Sequence, residues 1–390
     1  MTPSDPEQGG SGAPALEAIG GWGRRPVRSG RVVRSERLTL PAGAAPLLPR
    51  GLGRAYGDAA VPASADGLVI ETARADRVLE FDPTCGRLTC EAGLSLAEIL
   101  RVFLPRGWFP PVTPGTKFVT VGGCVASDVH GKNHHRDGSF GRFVEGLRAS
   151  APGWAYTVGW IDCLARGGAL GRGVLMRGRH ASRDEAGGRP PGGRRTLRVP
   201  GDAPEWLLNP AFMRLFNCLY HARHGATGAQ RLVSHERFFY PLDGLLDWNR
   251  LYGRRGFLQY QCVLPLAAGA APVRGLLEKL AGRGAASFLA VIKDFGPASD
   301  AYLSFPLAGT TLSLDLPYRG RSSEELVHEL NAAVIQAGGR VYLAKDAVTR
   351  AEDFALMMPR LAEWKAVRDR WDPHRRFRSA QSVRLLGDPA

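Results

Sequence analysis

Two short apolar runs, Leu68–Thr72 and Leu88–Glu91, predict strands. The spacing then turns helical. Leu96, Ile99, Leu100 and Phe103 recur on one face behind the capping box Ser95-Leu-Ala-Glu98, and Pro105 and Gly107 mark the end. Phe118–Ala126 is apolar and β-branched around a Gly122-Gly123 break, and reads as a buried segment running into a tight turn. Tyr156–Asp162 opens a second apolar region, after which residues 166–204 show no periodicity and read as loop or disorder. In 256–264, Leu258, Tyr260, Cys262 and Leu264 alternate with Gln259, Gln261 and Val263, which predicts a strand with one polar face. Ser287–Phe295 and Thr310–Leu316 are further strands, accompanied by helices at Val273–Ala281 and Glu324–Ala337. Ser322 with Glu325 caps the second of these, and Gly338-Gly339 stops it. Val341–Asp346 reads as an apolar strand finishing on Lys345-Asp346, and an amphipathic helix carrying Leu361, Trp364 and Val367 follows Pro359. Residues 1–16 have little to bury and are expected to be disordered. The pattern as a whole predicts an α+β fold: a mixed or antiparallel sheet with helices on one face.

Composition narrows the class. The chain has 390 residues, 44% hydrophobic and 23% charged, enough for two domains and a sizeable core. Its six cysteines are scattered without a CxxC pair, as in a reduced cytoplasmic protein. The first residues lack the apolar core of a signal peptide, and no stretch has the roughly eighteen apolar residues of a membrane span, so a soluble or peripheral protein is expected. The formal net charge is +14, and nine arginines fall between Arg166 and Arg198 against Asp184 and Glu185. Such a stretch suits an anionic lipid, a phosphorylated substrate or nucleic acid. It lacks the interleaved aromatics of a single-strand binder, so no nucleic-acid partner is expected.

Two glycine-rich loops carry the candidate chemistry. Arg50–Asp58 combines Gly51, Gly53 and Gly57 with two arginines, a composition suited to a nest of backbone N–H groups around a diphosphate. It matches neither GxxxxGK[ST] nor GxGxxG. In the second loop, within 113–141, His130, Lys132, Asn133, His134, His135, Arg136 and Asp137 fall within eight positions. That density of donors suits an anionic, hydrogen-bonding ligand. Gly131 disfavours a helix aligning His130 with His134, and neither HExxH nor CxxC is present, so no metal is expected.

Taken in order, Arg50–Asp58, Thr113–Gly141, FFYPLD at 238–243, GFLQYQCV at 256–263 and YLAKD at 342–346 make the chain resemble the decaprenylphosphoryl-β-D-ribose 2'-oxidase family. These are flavoproteins with the PCMH-type FAD fold of vanillyl-alcohol oxidase, and the C-terminal region is similar to D-arabinono-1,4-lactone oxidases. The resemblance implies a disordered tail at 1–16, an FAD domain over 17–150, a cap over 151–339 and a return to the FAD domain over 340–390. It implies that Arg50, Gly51, Leu52, Gly53, Arg54, Ala55, Tyr56 and Gly57 wrap the FAD pyrophosphate. Thr116, Val121, Gly122, Gly123, Ala126, Ser127, His130, Gly131, Asn133 and His134 would line the cofactor. Lys132, Trp160, Tyr240, Gln261, Lys293 and Ser313 would meet the substrate. Lys345 and His130 become the candidates to take a hydroxyl proton or to stabilise reduced flavin. The implied reaction oxidises the C2 carbinol of a polyprenyl-phosphoryl ribose, with a short-chain reductase as possible partner and a location in the cytoplasm or at the inner membrane face.

Three departures from the family pattern carry expectations. Arg54 occupies the place of a histidine that bonds covalently to FAD in related aldonolactone and alditol oxidases, so non-covalent FAD is expected. Ala55 replaces a serine, removing one hydroxyl donor to a phosphate. Gly141 is followed only by Arg142–Arg148 and a short link before Tyr156, so much of the second FAD subdomain is expected to be missing. That loss should shorten the sheet, expose apolar surface and remove cofactor donors. An aldonolactone oxidase and a non-catalytic family remnant are the alternative functions.

Overall fold

The structure is a computed structural model that describes residues 14–34, 36, 41, 43, 45–144, 156–182, 184–185, 196–224, 232–285, 287 and 289–390. Most of the expected tail, residues 1–13, lies outside this set, as do most of the link at 145–155 and residues 183 and 186–195 of the arginine-rich stretch. A first sheet is built from β1 (Ala15–Gly20), β2 (Val27–Arg34), β3 (Leu47–Arg50) and β4 (Leu68–Glu71), in the order β1-β2-β4-β3. Ala15 and Leu16, assigned to the tail by composition, belong to β1 because antiparallel pairing with β2 supplies the partners their own side chains do not. The two parallel pairings to β4 bury Val32, Leu48 and Val69 in a small core with Ile19.

The hairpin β5 (Val78–Asp82) and β6 (Arg87–Cys90) leads to α1 (Leu96–Phe103), where the Ser95 hydroxyl accepts the Glu98 N–H at 3.2 Å. Phe118–Ala126 departs from expectation. Its second half is the short helix α2 (Val121–Ala126), because the Thr120 side chain caps the Gly123 N–H at 3.2 Å. A side chain at Gly122 would be crowded, since a Cβ would stand 3.1 Å from Ala92 Cβ and 3.2 Å from its carbonyl oxygen. The turn α3 (His134–Asp137) follows.

β7 (Tyr156–Ile161) starts the larger sheet. Residues 166–204, expected to be irregular, contain β8 (Gly173–Gly178), paired to β7, and β9 (Leu197–Arg198). The helices α4 (Pro210–His224) and α5 (His235–Phe239), then β10 (Leu245–Leu246), lead to β11 (Phe257–Pro265). After α6 (Ala271–Gly282) come β12 (Ala290–Phe295), β13 (Gly309–Pro317), α7 (Arg321–Gln336) and β14 (Arg340–Val341). The six strands run β14-β11-β13-β12-β7-β8, with antiparallel pairing throughout. Leu258, Tyr260, Cys262, Leu312 and Leu314 pack with Leu276, Leu280, Leu326 and Leu330 of α6 and α7 in the main core. The polar face of β11 is also buried, with Gln259 5% and Gln261 2% exposed, because it faces the other half of the molecule and not water.

Two local expectations fail for the same reason, a competing turn. Gly320, at φ +73°, is the N-cap of α7, while the Ser322 hydroxyl donates to the Arg319 carbonyl and Glu325 pairs with Arg321. The apolar 341–346 run is a strand only to Val341, after which Lys345 and Asp346 donate back to the Tyr342 and Leu343 carbonyls. Beyond it, α8 (Ala351–Met357), α9 (Leu361–Trp371) and α10 (Ala380–Leu386) bring the chain back to the first sheet. There Leu47 exchanges backbone hydrogen bonds with Arg376 and Arg378. Arg384 of α10 holds both Asp58 oxygens (2.8 and 2.9 Å) and one of Asp346 (2.8 Å), which ties the first glycine loop to the Lys345 turn. Among the described residues, no helix is long and apolar enough to cross a membrane.

Candidate active site

The first glycine loop leaves β3 at Arg50 and folds around that side chain. The Arg50 guanidinium donates to the carbonyls of Gly20 (3.0 Å) and Ala60, and a Cβ on Gly53 would lie 2.3 Å from it. Arg50 is therefore an internal brace of the loop. Among the described residues, none accepts a hydrogen bond from the N–H groups of Gly51, Leu52, Gly53, Arg54 or Ala55. Consecutive unpaired donors of this kind fit the diphosphate of FAD. Arg54 adds a cation beside them, stacked 4.0 Å over Trp22, with its Nε unpartnered. Tyr56 and Gly57 instead face the Lys345 turn. The Tyr56 N–H donates to Ala344, and a Cβ on Gly57 would stand 1.7 Å from the Asp346 carbonyl oxygen.

The start of α2 does not supply further donors. The N–H groups of Val121, Gly122 and Gly123 are taken by Leu94, Ala92 and Thr120. Ala126 closes this helix, and the following Ser127 carbonyl accepts the Tyr342 hydroxyl at 2.6 Å. Thr116 accepts the Phe118 N–H at 3.2 Å, while the neighbouring Lys117 joins the cap through Asp243 and Glu236. These residues hold the two halves together.

In the second loop, burial and then the Lys293 charge push His130 well below the usual histidine range, so the ring is neutral at pH 7. Its Nδ1–H meets the Asp128 carbonyl at 3.2 Å, which leaves Nε2 to accept from the Gln261 amide at 3.2 Å. The His130 base position is thus occupied. Burial, Lys293 and Arg142 lower His134 to about 4. Its Nδ1 accepts the Gly296 N–H, and its buried Nε2 has no partner among the described residues. That orphaned donor fits a flavin carbonyl or ring nitrogen. Asn133 Nδ2 donates to the Pro111 carbonyl and to Asp137, its buried Oδ1 has no partner among the described residues, and a Cβ on Gly131 would meet that oxygen at 2.6 Å. His130 and His134 stand 6.2 Å apart, ring to ring, and among the described residues no three His, Cys, Asp or Glu side chains gather as metal ligands.

Antiparallel register assembles the rest. Direct cross-strand partners share a face, and Trp160 pairs Val291, Val291 pairs Ser313, Ser313 pairs Gln261, and Lys293 pairs Thr311. Trp160, Gln261, Lys293 and Ser313 therefore lie on one face of the sheet. Trp160 is capped by Tyr220 of α4, with ring centroids 4.6 Å apart. Lys345 reaches this face from the turn, donating to Ser313 Oγ at 3.0 Å with Tyr56 5.6 Å away. Lys132 comes from the second loop and lies against Phe238. Protein surrounds all three lysines, and each keeps some solvent contact. Burial lowers Lys293 to about 8, and burial with Lys293 lowers Lys132 to about 7. Lys345 is pushed down by burial and Lys293 and held up by Asp315.

Tyr240 is fully buried, and its hydroxyl meets Thr113 at 2.6 Å. Tyr240→Phe should cost about 1–2 kcal/mol in urea unfolding, because the Thr113 hydroxyl loses its buried partner. Three polar residues of the site were not foreseen: Asp315, Gln259 and Thr311. The alternation Thr311, Ser313, Asp315 along β13 was the available signal, since every second residue faces the same way.

Residues 39–153 match the family described as FAD binding domain, and residues 262–385 match D-arabinono-1,4-lactone oxidase. A decaprenylphosphoryl-beta-D-ribose oxidase of Mycolicibacterium smegmatis is 31% identical over 433 aligned positions, covering 91% of this chain and 92% of the relative. That alignment is longer than the 390-residue chain, so the relative has stretches without a counterpart here. An uncharacterized protein in the mprA 5' region of Streptomyces coelicolor is 30% identical over 75% of this chain and 100% of its own length. L-gulonolactone oxidase 3 of Arabidopsis thaliana shares 29% identity over 24% of this chain and 16% of its own. The unpaired donors of Gly51–Ala55 and the orphaned His134 nitrogen suit the FAD for which the matched domain is named, and the chain belongs to the family of FAD-linked oxidases that includes decaprenylphosphoryl-β-D-ribose oxidase.

Proposed function

We propose that this chain oxidises a secondary alcohol of a phosphorylated sugar, the C2 hydroxyl of a polyprenyl-phosphoryl ribose, to a ketone with non-covalently held FAD. The observation that carries this reading is the meeting of Lys345, which donates to Ser313 Oγ at 3.0 Å, with Gln261 and Lys293 on one face of the sheet, next to Tyr56 of the first loop. FAD, when bound, supplies the hydride acceptor that no side chain provides. Gly51–Ala55 hold its diphosphate, and Arg54, fixed over Trp22, adds charge without a nucleophile for a covalent link. Lys345 takes the hydroxyl proton, because burial favours its neutral amine and Ser313 fixes it in place. His130 orients the Gln261 amide toward the sugar, while Lys132 and Lys293 attract the phosphodiester.

The keto product would be consumed by a reductase, for which the short-chain class is the partner this reading implies. The polyprenyl chain would bring the protein to the membrane surface. An aldonolactone is the second substrate class, favoured by the match of residues 262–385. The test adds FAD to purified protein, desalts it and records the visible spectrum. Anaerobic bleaching is then followed with a polyprenyl-phosphoryl ribose and with an aldonolactone. Retained flavin bleached by the ribose supports the first reading, and bleaching by the lactone alone supports the second. A colourless protein that cannot be reconstituted overturns both in favour of a non-catalytic family member.

A further inference from the structure

Asp315 is fully buried on β13. Its carboxylate accepts from the Tyr252 hydroxyl at 2.9 Å and the Gln259 amide at 2.5 Å, and its own N–H donates to Ser287 at 3.3 Å. Both donors to the carboxylate are neutral. A buried carboxylate with neutral donors alone is costly to ionise, and a nearby cation is the usual remedy. Ser313 stands two positions earlier on the same face of the strand, where it accepts from Lys345 Nζ at 3.0 Å. Lys345 is the cation whose field Asp315 feels, and Asp315 is the anion whose field Lys345 feels. The other charged or titratable groups around the pair are Lys293 from β12, His130 from the second loop, Tyr56 from the first loop and Tyr252. Lys293 opposes the charge on Lys345, and Asp346, the next residue in the chain, is paired with Arg384, so among the described residues Asp315 is the anion that acts on Lys345.

We propose that Asp315 is a positioning residue for the oxidation: it seats Lys345 on Ser313 and sets whether that amine is charged when the sugar arrives. The inference rests on the reading that Lys345 faces the reacting hydroxyl. Among the described residues the Asp315 carboxylate bonds Tyr252 and Gln259 only, and it acts through Lys345.

The experiment is competitive labelling of the full-length protein with trace acetic anhydride over roughly pH 5 to 10, reading the Lys345 peptide by mass spectrometry. Asp315→Asn keeps the shape of the side chain and removes its charge. The Lys345 labelling midpoint should fall by about one pH unit or more, since the charge that favours the ammonium is gone. An unchanged midpoint overturns the proposal. Thermal unfolding of Lys345→Met and of Lys345→Met/Asp315→Asn gives a reading that survives if Asp315→Asn alone does not fold. Lys345→Met strands a buried carboxylate, so adding Asp315→Asn should raise the melting temperature. A double variant that melts below Lys345→Met also overturns the coupling. Neither measurement uses flavin or sugar. A shifted midpoint in a protein that oxidises no sugar would therefore keep the Asp315–Lys345 pair and remove the assigned reaction.

Discussion

Lys345→Met should lower the rate of flavin reduction by sugar about 10²- to 10⁴-fold, the range for removing a positioned general base. The side chain is well placed for that effect. It is held on Ser313 Oγ at 3.0 Å, beside Tyr56, on the sheet face that also carries Lys293 and Gln261. Methionine keeps the length and apolar stem, and the first glycine loop is untouched, so the variant should retain flavin. The pH dependence separates two roles. Burial and Lys293 lower the Lys345 amine from its ordinary range, and a base must be neutral to act. The wild-type rate should therefore rise with pH through a midpoint below that of free lysine, while the variant is flat. A rate that falls as pH rises would mean the ammonium is the active form and would sink the base assignment. Anaerobic stopped-flow bleaching across pH gives both results.

Arg384→Met should cost about 3–5 kcal/mol of stability, the range for breaking a buried ion pair from one side. Arg384 binds Asp58 in bidentate fashion and Asp346 with the same Nη2, and those carboxylates are 4% and 5% exposed. Removing the guanidinium leaves two buried anions, one beside Gly57 and one beside Lys345. The sign with pH follows from Asp58. Burial raises its carboxyl above the ordinary aspartate range even against the pull of Arg384. An acid raised in the folded state contributes stability at low pH and loses it as pH rises through the folded value. The deficit of Arg384→Met should thus be larger at pH 7.5 than at roughly pH 5. Urea unfolding at the two pH values measures it, and equal deficits would show that Asp58 and Asp346 do not depend on Arg384. The variant should also hold flavin less tightly, because the same guanidinium joins the first loop to the Lys345 turn.

The elements with strong local signals were legible from residues alone. The α1 helix announces itself by its spacing and by Ser95 at its cap, and β11 by the alternation from Leu258 to Leu264. The two glycine loops could be singled out because glycine clusters and clusters of donors are local facts of composition. Lys345, His130 and Gln261 lie in motifs that carry the family resemblance, and Lys293 was singled out only by what that resemblance implies. Tertiary structure decided what those groups do. Phe118–Ala126, read as a buried segment running into a turn, ends in a helix because Thr120 reaches the Gly123 N–H. Whether the Gln259–Gln261 edge of β11 meets water turned on the first half of the molecule covering it. Arg50 looked like a phosphate ligand and is a brace, because a side chain's partners come from chain segments that composition does not pair with it. Asp315 was passed over because its meaning lies in a field. Its charge matters through burial on β13 and through Lys345, 30 positions further along the sequence and joined to it only by the fold. Spacing and composition act over one turn or one strand, while burial, register and electrostatic coupling belong to the packed chain.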